Sequence, residues 1–199
     1  MRSEDSPLTT SEDDTRAARH DEYLRAHLDE LIRDIPDFPQ PGVVFKDITP
    51  LLADHDGFTA VIDVLSRAGR DAEGNVVVDK VVGMEARGFI LAAPVALALG
   101  AGFVPVRKAG KLPADTHAVG YDLEYGSATL ELHQDSIAPG ERVLMVDDVL
   151  ATGGTAAATA ELIEACGGVV HGIAVLMELS FLPGREALGD LPLTAIRTV

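Results

Sequence analysis

A single cysteine, only four lysines and no apolar run of membrane length are the shortages of this 199-residue chain. One cysteine, Cys166, rules out an internal disulfide and makes a reducing cytoplasm the default compartment. No stretch approaches the roughly 18 apolar residues of a bilayer-crossing helix. The polar, acidic start does not read as a secretory signal. Positive charge is scarce throughout: 16 basic residues face 32 acidic ones, for a formal net charge of −16. Such a surface repels nucleic acid and anionic membranes.

The few cations are not scattered evenly. Lys46, Lys108 and Lys111, with Arg87 and Arg107, fall in or beside the segments that carry chemistry. An acidic chain that keeps its lysines for a few loops is expected to build a local anion site. The alternative is chance clustering on a solvated acidic surface.

The most informative stretch is VLMVDDVLATGGTAAATAELIEA, residues 143–165. Val143 to Val146 are apolar without alternation, as in a strand buried on both faces of a parallel sheet. Ligands of open α/β sheets bind beyond the carboxyl ends of strands, where Asp147 and Asp148 are expected. Carboxylates only accept hydrogen bonds, and vicinal sugar hydroxyls are matched donors. Ala151, Thr152, Gly153, Gly154 and Thr155 follow. Two residues without Cβ let backbone N–H groups approach a phosphate, and the helix behind them adds its positive end. No lysine follows the glycines as a Walker loop requires, and G-x-G-x-x-G is absent. The layout reads as strand, acidic pair, phosphate loop and helix, hence a sugar-phosphate site.

Around it, strands and helices alternate, which implies a mostly parallel α/β sheet with right-handed crossovers. Residues 1–19 are acidic and poor in large apolar groups and read as a disordered extension; 20–199 read as one domain. Helices are expected over 20–34, 56–70 and 88–99, strands over 80–84, 103–107, 128–133 and 169–179, and a short helix from 184. Segment 108–123 lacks strong periodicity and reads as a long loop.

Three further segments carry charge in suggestive places. GMEARGF, 83–89, sets Arg87 at a strand-to-helix turn, where its fork matches a pyrophosphate; the plain alternative pairs it with Glu85. VRKAGKLP, 106–113, gathers Arg107, Lys108 and Lys111 as a basic lid, or a solvated loop. YDLEYG, 121–126, holds Glu124, able to manage a proton if the loop closes, or else one more surface acid.

Taken together, PDFPQPGVVFKDITPLL, GMEARGF, VPVRKAGKLP, YDLEYG, VDDVLATGGT and MELSFLPGRE resemble the type I phosphoribosyltransferases, and within them the adenine-using branch. The match runs over roughly residues 20–190, with the motifs in the family's order. The resemblance implies the family fold: a mostly parallel twisted sheet flanked by helices, a small N-terminal hood and a flexible catalytic loop. It implies PRPP and adenine as substrates, AMP and pyrophosphate as products, and magnesium held mainly by PRPP and water rather than by a protein ligand set. It assigns adenine to the backbone of Val44, Phe45 and Lys46 and pyrophosphate to Arg87, Lys108 and Lys111. Glu124 becomes the catalytic group, Asp147 and Asp148 hold the ribose, and Ala151 to Thr155 hold the 5-phosphate. A homodimer is the family's habit. Lys46 departs from the pattern, standing where arginine is usual; an ammonium cannot stack as a planar guanidinium does.

Two other readings compete. A sister enzyme using xanthine, hypoxanthine or guanine would share the sugar-phosphate run but needs groups matched to a carbonyl and ring N–H. A PRPP-sensing regulator would add a helix-turn-helix and a basic face, against the −16 net charge.

Overall fold

A computed structural model of the chain describes residues 12–122 and 127–199. The chain divides into two compact units at Val64/Leu65.

The first unit is helical with one small hairpin. Helix α1 spans Glu12–Leu31, strands β1 and β2 are Arg33–Pro36 and Val44–Asp47, and helices α2 and α3 are Thr49–Ala53 and His55–Arg67, the last running on into the second unit. Leu24, Leu28 and Ile32, spaced at four residues, are buried. The Tyr23 hydroxyl donates to Asp54 Oδ2 at 2.8 Å, and the same oxygen accepts the Gly57 N–H at 2.7 Å. Asp54 thus satisfies a free donor of the first turn of α3. The Gly57 bond and the Tyr23 bond hold its carboxyl below the usual range. Antiparallel pairing sets Asp34 opposite Lys46 and Ile35 opposite Phe45.

Residues 12–19, expected in a disordered extension, are helical. Contacts to α3 accompany this helical start: Arg16 and His20 approach Asp63 at 3.9 and 3.3 Å. Residues 1–11 of that extension lie outside the described residues.

The second unit is a seven-stranded sheet in the order β5-β6-β4-β3-β7-β8-β9. Its strands are β3 Lys80–Met84, β4 Gly102–Lys108, β5 Thr116–Asp122, β6 Ser127–His133, β7 Arg142–Leu150, β8 Val169–Glu178 and β9 Leu193–Thr198. The five strands β4-β3-β7-β8-β9 are mutually parallel; β6 pairs antiparallel with both β4 and β5. Helices α4, Gly88–Leu99, α5, Gly154–Ala165, and α6, Gly184–Ala187, connect them. Val143, Leu144, Met145 and Val146 are fully buried, as a run without alternation requires. Leu162 and Ile163 of α5 pack with Val82, Val106, Met145 and Val175 in the main core.

Two expectations change. The loop expected over 108–123 contains strand β5, which pairs along its whole length with β6. Val119 and Tyr121 pack on the core, but Gly120 between them and the polar flanks blunt the alternation that would have marked a strand. Strand β7 also does not stop at Val146. It continues to Leu150 beside β8, with Asp147 opposite Val175, whereas its pairing with β3 ends at Val146. The acids therefore sit within the strand but past the end of one neighbour, which frees space beside them. Strand β9 did not stand out in the sequence: Leu193 and Ala195 pack on the core, but Ile196 and Arg197 break the alternation.

Candidate active site

Parallel pairing brings the carboxyl ends of β4, β3 and β7 to one edge of the sheet. Three segments leave from that edge: Ala109 onward, the turn Glu85–Arg87 into α4, and the loop Ala151–Gly153 into α5. Two helix N-termini therefore stand at this edge, each with a positive dipole end; at α4 the Phe89 and Ile90 N–H groups donate to the Ala86 and Arg87 carbonyls.

The loop between β7 and α5 is shaped by glycine. Gly153 caps α5 with φ +83°, the left-handed region a side chain disfavours. A Cβ there would also lie 2.6 Å from Ala187 Cβ and 2.7 Å from the Gly184 carbonyl. A cavity of about 80 Å³ opens over this loop, well above the ~10–15 Å³ one water needs. Asp147, Thr152, Gly153, Gly154 and Thr155 line it, with the apolar Met84 and Ile173. The cavity joins Asp147 to the loop.

The acidic pair is asymmetric. Asp148 is buried, and its Oδ2 lies 2.8 Å from Arg87 Nη2. The Asp148 N–H donates to Asp147 Oδ1 at 2.9 Å. Burial and then the neighbouring Asp148 charge push the Asp147 carboxyl well above the usual range. Space around Asp147 depends on Gly88: a Cβ there would stand 2.7 Å from Asp147 Oδ1. Arg87 takes its carboxylate partner from β7, and Glu85 serves elsewhere. Glu85 Oε2 accepts the Lys108 N–H at 2.9 Å and lies 3.4 Å from Arg107 Nε. Arg107 Nη1 donates to the Lys111 carbonyl at 3.1 Å. The Glu85–Ala86 peptide is cis.

The structure thus brings Arg87, Asp147, Asp148 and the segment Ala151–Thr155 together and tethers the backbones of Lys108 and Lys111 to the neighbouring turn. Val44, Phe45 and Lys46 lie in β2 of the first unit, where Lys46 Nζ donates to both Asp34 oxygens at 2.7 and 2.9 Å. Glu124 lies outside the described residues. Sequence reading passed over Gly88 and the anchoring role of Glu85. It also passed over Tyr121, whose hydroxyl accepts from Thr155 Oγ1 at 3.2 Å. GMEARGF already contained the first two; only strand pairing could reveal the third.

A parallel sheet with two helix N-termini, an acid pair and a glycine loop at its carboxyl edge has the layout of an α/β enzyme for phosphorylated sugars. The family model of the phosphoribosyl transferase domain matches residues 48–183, and the chain belongs to that family. An adenine phosphoribosyltransferase of Nocardioides sp. is 70% identical over 169 residues, 85% of this chain and 91% of that protein. The crystal structure of adenine phosphoribosyltransferase from Thermoanaerobacter pseudethanolicus is similar with TM-score 0.82 and 47% identity, covering 87% of this chain and 99% of the other. That from Saccharomyces cerevisiae, complexed with an imino-altritol bisphosphate and adenine, is similar with TM-score 0.82 and 38% identity, over 90% and 99% of the two chains.

Proposed function

We propose that this chain transfers the 5-phosphoribosyl group of PRPP to adenine, giving AMP and pyrophosphate, as its relatives are named for doing. The observation that carries the reading is the single cavity shared by Asp147 and the loop Thr152–Thr155. It offers hydrogen-bond acceptors for ribose hydroxyls beside N–H donors for a phosphate.

In the reaction the bond from ribose C1 to pyrophosphate oxygen breaks and a bond to a purine nitrogen forms. By analogy with glycoside chemistry, the transition state has oxocarbenium character. Asp147 and Asp148 favour the positive sugar, and Arg87, Lys108 and Lys111 stabilise the departing pyrophosphate. Glu124 accepts the proton that adenine loses, and the backbone of Val44 to Lys46 serves the base.

Magnesium fits this donor set as a companion of the substrate. Among the described residues no group of three His, Cys, Asp or Glu could hold a metal ion. Its oxygens would come from PRPP phosphates and water, the usual habit of this small, hard cation. When bound, it supplies charge neutralisation to the diphosphate.

A homodimer is part of the proposal. Ile90 and Leu97, seven residues apart on one face of α4, are 43% and 83% exposed on a helix that is apolar all round. Leu97→Asp should halve the mass measured by light scattering; an unchanged mass would assign the face elsewhere. Cytoplasmic location rests on the lone cysteine. No helix among the described residues is long and apolar enough to cross a membrane.

The deciding assay offers PRPP, magnesium and each purine base in turn and identifies the nucleotide formed. AMP from adenine alone is expected; GMP, IMP or XMP would move the chain to a sister enzyme.

A further inference from the structure

The motif MELSFLPGRE, residues 177–186, contributes no group to the reaction, yet it is built against the phosphate loop. Strand β8 ends at Glu178, and the chain then turns back through Pro183 into α6. The Leu179 N–H donates to the Leu150 carbonyl at 2.9 Å, tying the start of this turn to the end of β7. Beyond it, α6 and the loop meet backbone to backbone. A Cβ on Gly184 would collide with the Ala151 carbonyl oxygen and stand 2.9 Å from Leu150 Cγ. From the other side, a Cβ on Gly153 would strike Ala187 Cβ and the Gly184 carbonyl. There is no slack between the two segments, so where α6 sits decides where the N–H groups of 152–154 point.

One side-chain contact fixes α6. Arg185 donates from Nε to Glu178 Oε1 at 2.8 Å and from Nη2 to Glu178 Oε2 at 2.6 Å. This bidentate fork sets orientation as well as distance. Glu178 sits at the end of a core strand with its side chain 7% exposed, so it is the fixed partner. The Arg185 side chain is 62% exposed and brings α6 to it. The fork and its charge hold the Glu178 carboxyl below the usual range.

We propose that Glu178 and Arg185 are positioning residues for the phosphate loop: their ion pair clamps α6, α6 sets the backbone of Ala151–Gly154, and PRPP affinity follows. The inference rests on the reading of that loop as the 5-phosphate site. Neither residue touches substrate in this account, so the effect belongs to binding of the phosphorylated sugar and not to the chemistry at C1.

The test compares Arg185→Met, Arg185→Lys and Gly184→Ala with the unaltered protein, below the Tm of each. Arg185→Met should raise KM for PRPP roughly three- to tenfold, leaving kcat and KM for adenine within about twofold. Its affinity for ribose 5-phosphate, read by calorimetry, should weaken by the same factor. Arg185→Lys keeps the charge but loses the fork, and should fall between. Gly184→Ala removes no charge, yet should raise KM for PRPP further, because it displaces the Ala151 carbonyl directly. If Arg185→Met lowers Tm alone and leaves KM for PRPP and ribose 5-phosphate affinity unchanged, the pair is merely structural and the inference is overturned. Should Arg185→Met not fold, Arg185→Lys and Gly184→Ala decide the matter by the same two readouts. A separate outcome marks failure of the underlying reading: the unaltered protein would bind no ribose 5-phosphate.

Discussion

Arg87 Nη2 lies 2.8 Å from Asp148 Oδ2, so the cation expected to meet pyrophosphate is held by the buried member of the acid pair. The guanidinium is more than a third exposed while the carboxylate is buried. One residue therefore neutralises a buried acid and still faces the substrate edge. Arg87→Met should lose on both counts. Stability should fall by about 1–3 kcal/mol, because Asp148 is left buried beside a second acid. Adding Asp148→Asn should restore much of the Tm but not the turnover. A double variant that recovers activity would remove Arg87 from the pyrophosphate role.

Asp147 carries a stability cost. Its folded pKa is raised, first by burial and then by Asp148. A group raised in the folded state favours folding below its unfolded pKa, and that contribution is lost as pH rises through the folded pKa. Asp147 thus costs the fold stability as pH rises from the unfolded value of 3.8 toward the raised folded one. Asp147→Asn should raise Tm at neutral pH. The gain should shrink as pH falls through the raised pKa and vanish below the ordinary carboxylate value of 3.8. The same variant should handle PRPP poorly at low concentration. Thermal unfolding across pH, with PRPP-limited rates, checks both halves.

Gly153→Ala asks a side chain to adopt φ +83° and to share space with Ala187. A loss of about 1–3 kcal/mol is expected from strain and overpacking together. KM for PRPP should rise with it, whereas KM for adenine should hold. Equal rises in both would mean the loop serves more than the phosphate.

Lys46 is occupied by Asp34 through two hydrogen bonds, with its side chain only 15% exposed. If the base is met by main-chain groups of Val44–Lys46, the ammonium matters little. Lys46→Met should then change KM for adenine by less than about threefold, the scale of a modest ion pair. A tenfold or larger rise would assign the ammonium itself to the base.

The legible parts of this chain were those where a local pattern had one physical meaning. Strand β3 and helix α4 occupy the positions that their unbroken apolar runs dictated, Lys80–Met84 and Gly88–Leu99. The turn from β7 into α5 was legible because an apolar strand run, two glycines and an alanine-rich stretch follow one another directly. Strand β5 was not, since Gly120 and its polar neighbours form a strand only because β6 supplies the pairing partners. The helical start at Glu12 was hidden in an acidic stretch for the same kind of reason: Asp63, far along the chain, receives Arg16 and His20.

The sequence by itself determined the chemistry on offer: an acid pair, a glycine loop, few but clustered cations, and a class of substrate to match. Tertiary structure decided the partners. It gave Arg87 to Asp148 and Glu85 to Arg107 and the Lys108 backbone, and it set α6 against the loop Ala151–Gly153. Residue types and short spacings carry donors, acceptors and backbone freedom. Which charge meets which depends on strand order and register, and those are settled by burying the whole sheet at once.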